Sequence, residues 1–377
     1  MRLQQLDTPC LLLDRGTLDR NIAAMEERLR PTSVSLRPHV KTAKTAEAVK
    51  RMTGGGAGGI TVSTLREAEH FFELGYQDIT YAVGIAPNKL ERIGDLMLCG
   101  AELNLLADHV DQVAFVSAFG ERMGRVLPVL IEVDSDARRA GLHPGGDALL
   151  DVGRLLDSAP GTSLAGVLTH AGGSYACRTR SAIVEFAEQE RRAVVDAAQR
   201  LRAAGLVVPV VSVGSTPTVM FAERFDGVTE VRAGVYVFND LTMAGLGVCR
   251  HEDIAISVLC SVIGHQRARN WVITDAGWMA LSSDRSTASQ RVDWGYGLVC
   301  DVAGRVIEDL LVTATSQEHG IVGHRDGRPL DFEKLAVGTK LRVLPNHACA
   351  TAAAHEGYVV VAGGEEVVDR WSRFRGW

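Results

Sequence analysis

The sequence predicts a (β/α)₈ barrel followed by a smaller antiparallel β domain. Eight short apolar runs recur between residues 15 and 240, helical periodicity fills the gaps, and β-rich, helix-poor sequence takes over after residue 245. At 377 residues the chain exceeds one small core and suits one large domain plus a smaller one.

Segment 1–14, "MRLQQLDTPCLLLD", is expected to form a strand joining the β domain. Its apolar run is too short and too acid-flanked for a signal peptide or a membrane span. The barrel, assigned to 15–245, begins with "VSLRPHV" (34–40), "GITVS" (59–63), "DITYAV" (78–83) and "ELNLLA" (102–107). "VLPVLIEV" (126–133), "LAGVLTH" (164–170), "VVPVVSV" (207–213) and "GVTEVRAG" (227–234) complete it. Continuously apolar strands separated by helices indicate a parallel sheet covered on its outside. The longest helix is predicted over 181–205, ending at Gly205. No G-x-G-x-x-G follows the first strand, which removes the best support for a doubly wound open sheet. In the β domain, assigned to 246–377, strands are expected in 253–265, 271–277, 339–349 and 357–371, with 278–295 a polar loop.

Composition narrows the function classes. The chain is 46% hydrophobic and 23% charged, with net charge −6 and no basic block, so neither nucleic acid nor a membrane is expected as a partner. Seven scattered cysteines without a C-x-x-C pair point to a reducing compartment, the cytoplasm, and to no disulfides. Cys99, Cys249, Cys260 and Cys300 read as small core residues.

Barrels of this kind place chemistry where strands end and βα loops begin. Those positions hold His39-Val40-Lys41 after strand one, and Glu132, Asp134, Arg138 and Arg139 after strand five. They hold Thr169-His170 through Tyr175 after strand six, Gly214-Ser215-Thr216 after strand seven, and "RAGVYVFND" (232–240) after strand eight. Gly214-Ser215-Thr216 offers close backbone approach and two hydroxyls before Pro217, a pattern suited to a phosphate and equally to an ordinary capped turn. Lys41 reads as a lysine at the inner end of a strand, costly to bury unless paired or neutral; Lys44 reads as a rim lysine on the next helix. A phosphorylated aldehyde held by the last two loops and joined to Lys41 as a Schiff base describes pyridoxal 5′-phosphate (PLP). His170 could then lie against its ring and Arg139 could bond its phenolic oxygen, or each could be structural. In "PNHAC" (345–349), an extended backbone would point His347 and Cys349 the same way, toward one metal ion. Imidazole and thiolate suit Zn²⁺, with Mn²⁺ or Mg²⁺ as alternatives, and two protein ligands leave positions open for water or substrate. A capped turn with a buried cysteine is the other reading, and His355 is not counted as a third ligand.

With these residues in view, the chain resembles the fold-type III PLP enzymes of the D-serine dehydratase and D-threonine aldolase family, whose barrel is of the alanine-racemase type. The likeness runs from "DTPCLLLDRGTLDRNI" (7–22) through "LRPHVKTAKT" (36–45), "LTHAGGSY" (168–175), "VSVGSTPT" (211–218) and "EVRAGVYVF" (230–238) to "PNHACAT" (345–351). It implies that Lys41 carries PLP, that Tyr175, Gly214, Ser215, Thr216, Gly234 and Tyr236 surround it, and that His347 and Cys349 hold the metal. Cys349 stands where the aldolases have Asp, which favours a dehydratase acting on a D-3-hydroxy amino acid; Ala43 replaces the second His of the H-x-K-T-H-K motif. The resemblance also implies a homodimer. A non-enzymatic PLP carrier is the reading from a different class, disfavoured because a carrier needs neither the β domain nor the H-x-C pair.

Overall fold

The computed structural model describes residues 1–56 and 58–377. The chain divides into two compact units, one of Met25–Lys41, Val49–Gly234 and Gly376–Trp377, the other of Met1–Ala24, Thr42–Ala48 and Val235–Arg375. Strand β1 (Cys10–Asp14) lies in the second unit.

The first unit contains the parallel strands β2 (Ser35–Leu36), β3 (Ile60–Val62), β4 (Asp78–Tyr81), β5 (Glu102–Ala107), β6 (Leu127–Glu132), β7 (Thr162–Leu168), β8 (Val210–Val213) and β9 (Glu230–Val231). Their order is β2-β9-β8-β7-β6-β5-β4-β3. A parallel bridge between His39 and Thr61 joins the β2 line to β3, with Val40 N donating to Thr61 O at 3.0 Å, and so closes the ring. All eight predicted strands are present; β5 matches its apolar run, β7 is as long as its run but begins two residues earlier, and the other six are shorter than theirs. Apart from β2, the strands are largely buried because the helices between them cover the sheet; Leu106, Leu130 and Leu168 form one cluster of that packing. The longest helix, Arg180–Ala203, buries Ile183, Ala187, Glu190, Val194, Ala197 and Leu201 along one stripe. Thr179 caps it, accepting from Ala182 N, and Gly205, at φ +87°, follows its end.

The second unit holds β10 (Ile256–Gln266), β11 (Trp271–Thr274), β12 (Leu298–Asp301), β13 (Val306–Thr315), β14 (Gly320–His324), β15 (Lys340–Leu344), β16 (Gly357–Val361) and β17 (Val367–Ser372). The order β11-β14-β13-β12-β15-β10-β1-β16-β17, with a further β11–β10 pairing, closes six strands into a small antiparallel barrel and extends it through β1. The β1–β16 pair is parallel. Strands β12, β13 and β14 were not among the predicted strands, although β12 and β13 are apolar runs separated by a turn that contains Gly304. Of the cysteines read as core, Cys260 and Cys300 are buried and Cys249 is half-buried, whereas Cys99 is exposed. It stands at the end of a surface helix, Leu90–Leu98, rather than on that helix's buried stripe. No cysteine among the described residues is in a disulfide.

Candidate active site

In the parallel-barrel unit, polar side chains collect at the carboxyl ends of the strands. His39 is buried; its Nε2 lies 3.3 Å from Ser63 Oγ, and its Nδ1 has no hydrogen-bond partner. Burial, and then the charges of Lys41 and Arg232, push its imidazole well below the ordinary range. His170 Nδ1–H donates to the Gly214 carbonyl at 2.7 Å, while burial pulls the ring down to about 4 against that bond. Both rings are therefore neutral near pH 7.

Lys41 departs from expectation. It sits in the turn after the His39 bridge, not on a strand, and its side chain is exposed. The strand line stops at His39 because the chain leaves this unit at once: Thr42–Ala48 packs in the other unit. Lys44 is also not on a helix; it precedes Ala46–Met52, at φ +47°, with its ammonium 5.7 Å from the Phe374 ring centre.

Arg139 is largely exposed, with Nη2 3.3 Å from Oε1 of the buried Glu132. Burial raises Glu132 and Arg139 opposes the rise. Tyr175 lies in the 3₁₀ turn Gly172–Ala176, its ring 6.4 Å from that of His170. Gly214, Ser215 and Thr216 are all buried. Gly214, at φ +149°, leaves no space for a side chain, since a Cβ there would lie 2.6 Å from Arg232 N. Ser215 caps the short helix Thr216–Phe221, accepting from Thr218 N at 3.3 Å. Gly234 is buried in this unit, while Tyr236, also buried, belongs to the other.

Two residues here had no role assigned from sequence. Arg232, at the head of the 232–240 stretch, is buried and donates from Nη1 to Ser212 Oγ and from Nη2 to Thr169 O; burial lowers it to about 10, opposed by Glu230, Glu190 and Glu132. Glu190 reaches Ala171 N and Gly214 N. A glutamate on the buried stripe of a long amphipathic helix is the signal that could have found it.

In the other unit, His347 and Cys349 do not lie in an extended segment. His347 precedes the one-and-a-half-turn helix Ala348–Ala353, which contains Cys349. The pair still meets, because the His347 side chain hydrogen-bonds Cys349 as well as Asp284. His347 Nδ1 stands 2.7 Å from Asp284 Oδ2, and Cys349 Sγ 3.3 Å from Thr42 Oγ1. Asp284, then Cys349, push the imidazole up to about 11 against burial, while Asp284 is itself held below the usual carboxylate range. Asp284 comes from the 278–295 stretch, which contains only the single turn Trp278–Leu281 and the 3₁₀ turn Ser286–Ser289. Asp240, fully buried, accepts from Met243 N and Ala348 N, both at 2.9 Å, and so ties the starts of two short helices together. His355 is engaged elsewhere, with Nε2 2.9 Å from Ala280 O. Among the described residues no group of three or more His, Cys, Asp or Glu is placed to hold a metal ion. No helix of the described residues is long and apolar enough to cross a membrane.

Residues 13–241 match the alanine racemase N-terminal domain, and residues 255–361 a putative serine dehydratase domain. The chain is 50% identical over its whole length to 99% of a D-threo-3-hydroxyaspartate dehydratase from Delftia sp. (strain HT23). A solved structure of that dehydratase superposes with TM-score 0.97 at 49% identity, covering 100% of both chains. A cysteine-to-alanine variant of a D-threo-3-hydroxyaspartate dehydratase, in a metal-free form, matches with TM-score 0.96 at 49% identity and full coverage of both chains. A D-serine dehydratase from Dictyostelium discoideum is 31% identical over 100% of this chain and 98% of its own. On the combined barrel, β domain and end-to-end likeness, the chain belongs to the PLP-dependent lyases of fold type III, the D-serine dehydratase-like family with an alanine-racemase-like barrel.

Proposed function

We propose that this protein is a PLP- and metal-dependent dehydratase that converts a D-3-hydroxy amino acid, D-threo-3-hydroxyaspartate or D-serine, to a 2-oxo acid and ammonia. The observation that carries the metal requirement is the His347–Cys349 pair backed by Asp284. A carboxylate on one imidazole nitrogen is the usual support of a metal-bound histidine, and a divalent cation would replace the proton that His347 holds. The residues of the barrel unit fit PLP as well. The Gly214 backbone is bare where a Cβ cannot fit, Ser215 and Thr216 offer hydroxyls beside it, and His39 Nδ1 is a buried polar atom without a partner.

Bound PLP supplies an electron sink next to Cα, and the cation supplies a Lewis acid for a β-hydroxyl that leaves poorly by itself. Lys41 would hold the cofactor and, once displaced by the substrate amine, take the Cα proton on Nζ. Gly214, Ser215 and Thr216 would hold the phosphate, with Tyr175, Gly234 and Tyr236 around the cofactor. His170, fixed by the Gly214 carbonyl and neutral at pH 7, would pack on the ring without adding charge to it. Arg139 would bond the phenolic oxygen from its place beside Glu132. For a substrate with a second carboxylate, Arg138 and Arg291 are exposed arginines open to it, while Arg285 already pairs with Asp293. Zn²⁺ suits the imidazole–thiolate pair best. A cytoplasmic homodimer is part of the same proposal.

The test is product analysis on 3-hydroxy-D-amino acids. Ammonia with a 2-oxo acid supports the dehydratase; an aldehyde with an amino acid would establish an aldolase, the activity of a 28%-identical relative from Paracoccus denitrificans. Cys349→Ala should abolish elimination while the visible cofactor band persists, and undiminished turnover under chelation would remove the metal from the reaction.

A further inference from the structure

Glu190 belongs to no recognised motif and reaches no surface. It lies near the middle of Arg180–Ala203 and is only 2% exposed. Its Oε1 accepts from Ala171 N at 2.9 Å and from Gly214 N at 3.3 Å, and its side chain also bonds Thr218. Ala171 follows His170 in the loop after β7, and Gly214 precedes Ser215 in the loop after β8. One oxygen therefore bridges two loops that come from different strands.

The grip on Gly214 has three sides. Glu190 takes its N–H, His170 takes its carbonyl at 2.7 Å, and the Arg232 backbone closes the space where a side chain would go. Ser174 Oγ, 3.2 Å from Ser215 Oγ and 2.9 Å from Ala171 O, adds a weaker tie between the same loops. Without an acceptor at position 190, two buried N–H groups would lose their partner, and each loop would have to move to find another. The cofactor would feel that movement on two sides, at the histidine beside its ring and at the turn beside its phosphate.

We infer that Glu190 is a positioning residue for the cofactor, which it serves by reach: a single side-chain oxygen on a rigid helix holds the His170 loop and the Gly214–Thr216 loop in register. The negative charge is incidental to this role. Behind an anion site a carboxylate charge is a Coulombic cost, one that burial reduces by raising its pKa and that the neighbouring Arg232 offsets. Glutamine keeps the reach and the accepting oxygen without the charge, and its amide can donate to Thr218. Aspartate keeps the charge and loses one methylene of reach.

This inference rests on the PLP reading above, and the experiment separates the two. The wild-type protein must first show a visible cofactor band that borohydride bleaches at Lys41; if it does not, the PLP reading fails before Glu190 is tested. Purified Glu190→Gln and Glu190→Asp are then compared with wild type, well below their melting temperatures, for retained PLP, apparent Kd on readdition and circular dichroism of the cofactor band. The expected result is a Kd within about threefold of wild type and an unchanged band for Gln, with about tenfold or greater weakening and an altered band for Asp. Asp equal to wild type, Gln as poor as Asp, or a melting-temperature loss with no change in Kd or in the band each overturn the inference. Hydrogen exchange on the wild type gives a check that no folding defect can spoil: the Ala171 and Gly214 amides should exchange slowly and together, and rapid exchange at either overturns it as well.

Discussion

The turn that follows Lys41 is secured by Tyr358, and removing one oxygen atom measures how firmly. Tyr358 is 1% exposed; its hydroxyl donates to the Ala43 carbonyl at 2.7 Å and also hydrogen-bonds the Arg373 side chain. Tyr358→Phe preserves the ring and its packing on Phe238, 5.5 Å away between centres, so the loss is confined to hydrogen bonding. A buried carbonyl left without its donor costs about 1–3 kcal/mol. Equilibrium unfolding reports the whole chain and does not single out an opening confined to one turn. Native-state hydrogen exchange is better suited. The Phe374 amide donates to Lys44 O at 3.2 Å, in the same turn, and reports its opening directly. In Tyr358→Phe that amide should exchange about 5- to 150-fold faster, the range that corresponds to about 1–3 kcal/mol. Amides of the β7 and β8 strands, far away in the chain, should be unchanged. Exchange at Phe374 within about twofold of wild type would refute the claim that this hydroxyl anchors the turn.

Three further outcomes follow from the site geometry. Gly214→Ala places a Cβ 2.6 Å from Arg232 N at φ +149°, so it should cost about 2–5 kcal/mol by denaturant titration and strip PLP from the purified protein. Asp284→Asn removes the carboxylate from His347 Nδ1 and should weaken metal binding about 10- to 100-fold in chelator competition, with the cofactor band intact. His170 is pushed down to about 4 by burial, so between pH 6.5 and 4 the unfolded chain binds a proton that the native PLP-free protein refuses. Its contribution is therefore fully present above pH 6.5 and lost as pH falls toward 4, about 3 kcal/mol in all; denaturant titrations of wild type and His170→Asn across that window should converge by this amount.

How far the sequence could be read depends on how local each signal is. Strands β2 to β9 were visible because a parallel strand buried on both faces must be apolar along its whole length, and because helices of fixed period separate the runs. The H-x-C pair was legible as chemistry but its backbone was misjudged: His347 and Cys349 meet across the start of a helix, where the Asp240 carboxylate accepts from Ala348 N, and not along a strand. Lys41 was picked out from its place at a strand end, yet its exposure was not foreseen, because the exit of residues 42–48 into the other unit leaves no mark in the local pattern. Cys99 looked like core from its apolar neighbours, and only the phase of its helix turns it outward.

By itself the sequence determined the order of the barrel's strands and helices and marked the lysine, the glycine-hydroxyl turn and the histidine–cysteine pair as candidates, since each is written within a few adjacent residues. The tertiary structure alone decided which acids serve them: Asp284 for His347, Glu190 for the two loops, and the glutamates that offset Arg232. Those partners come from distant parts of the chain, and a carboxylate declares its role only when burial removes the water that would otherwise satisfy it.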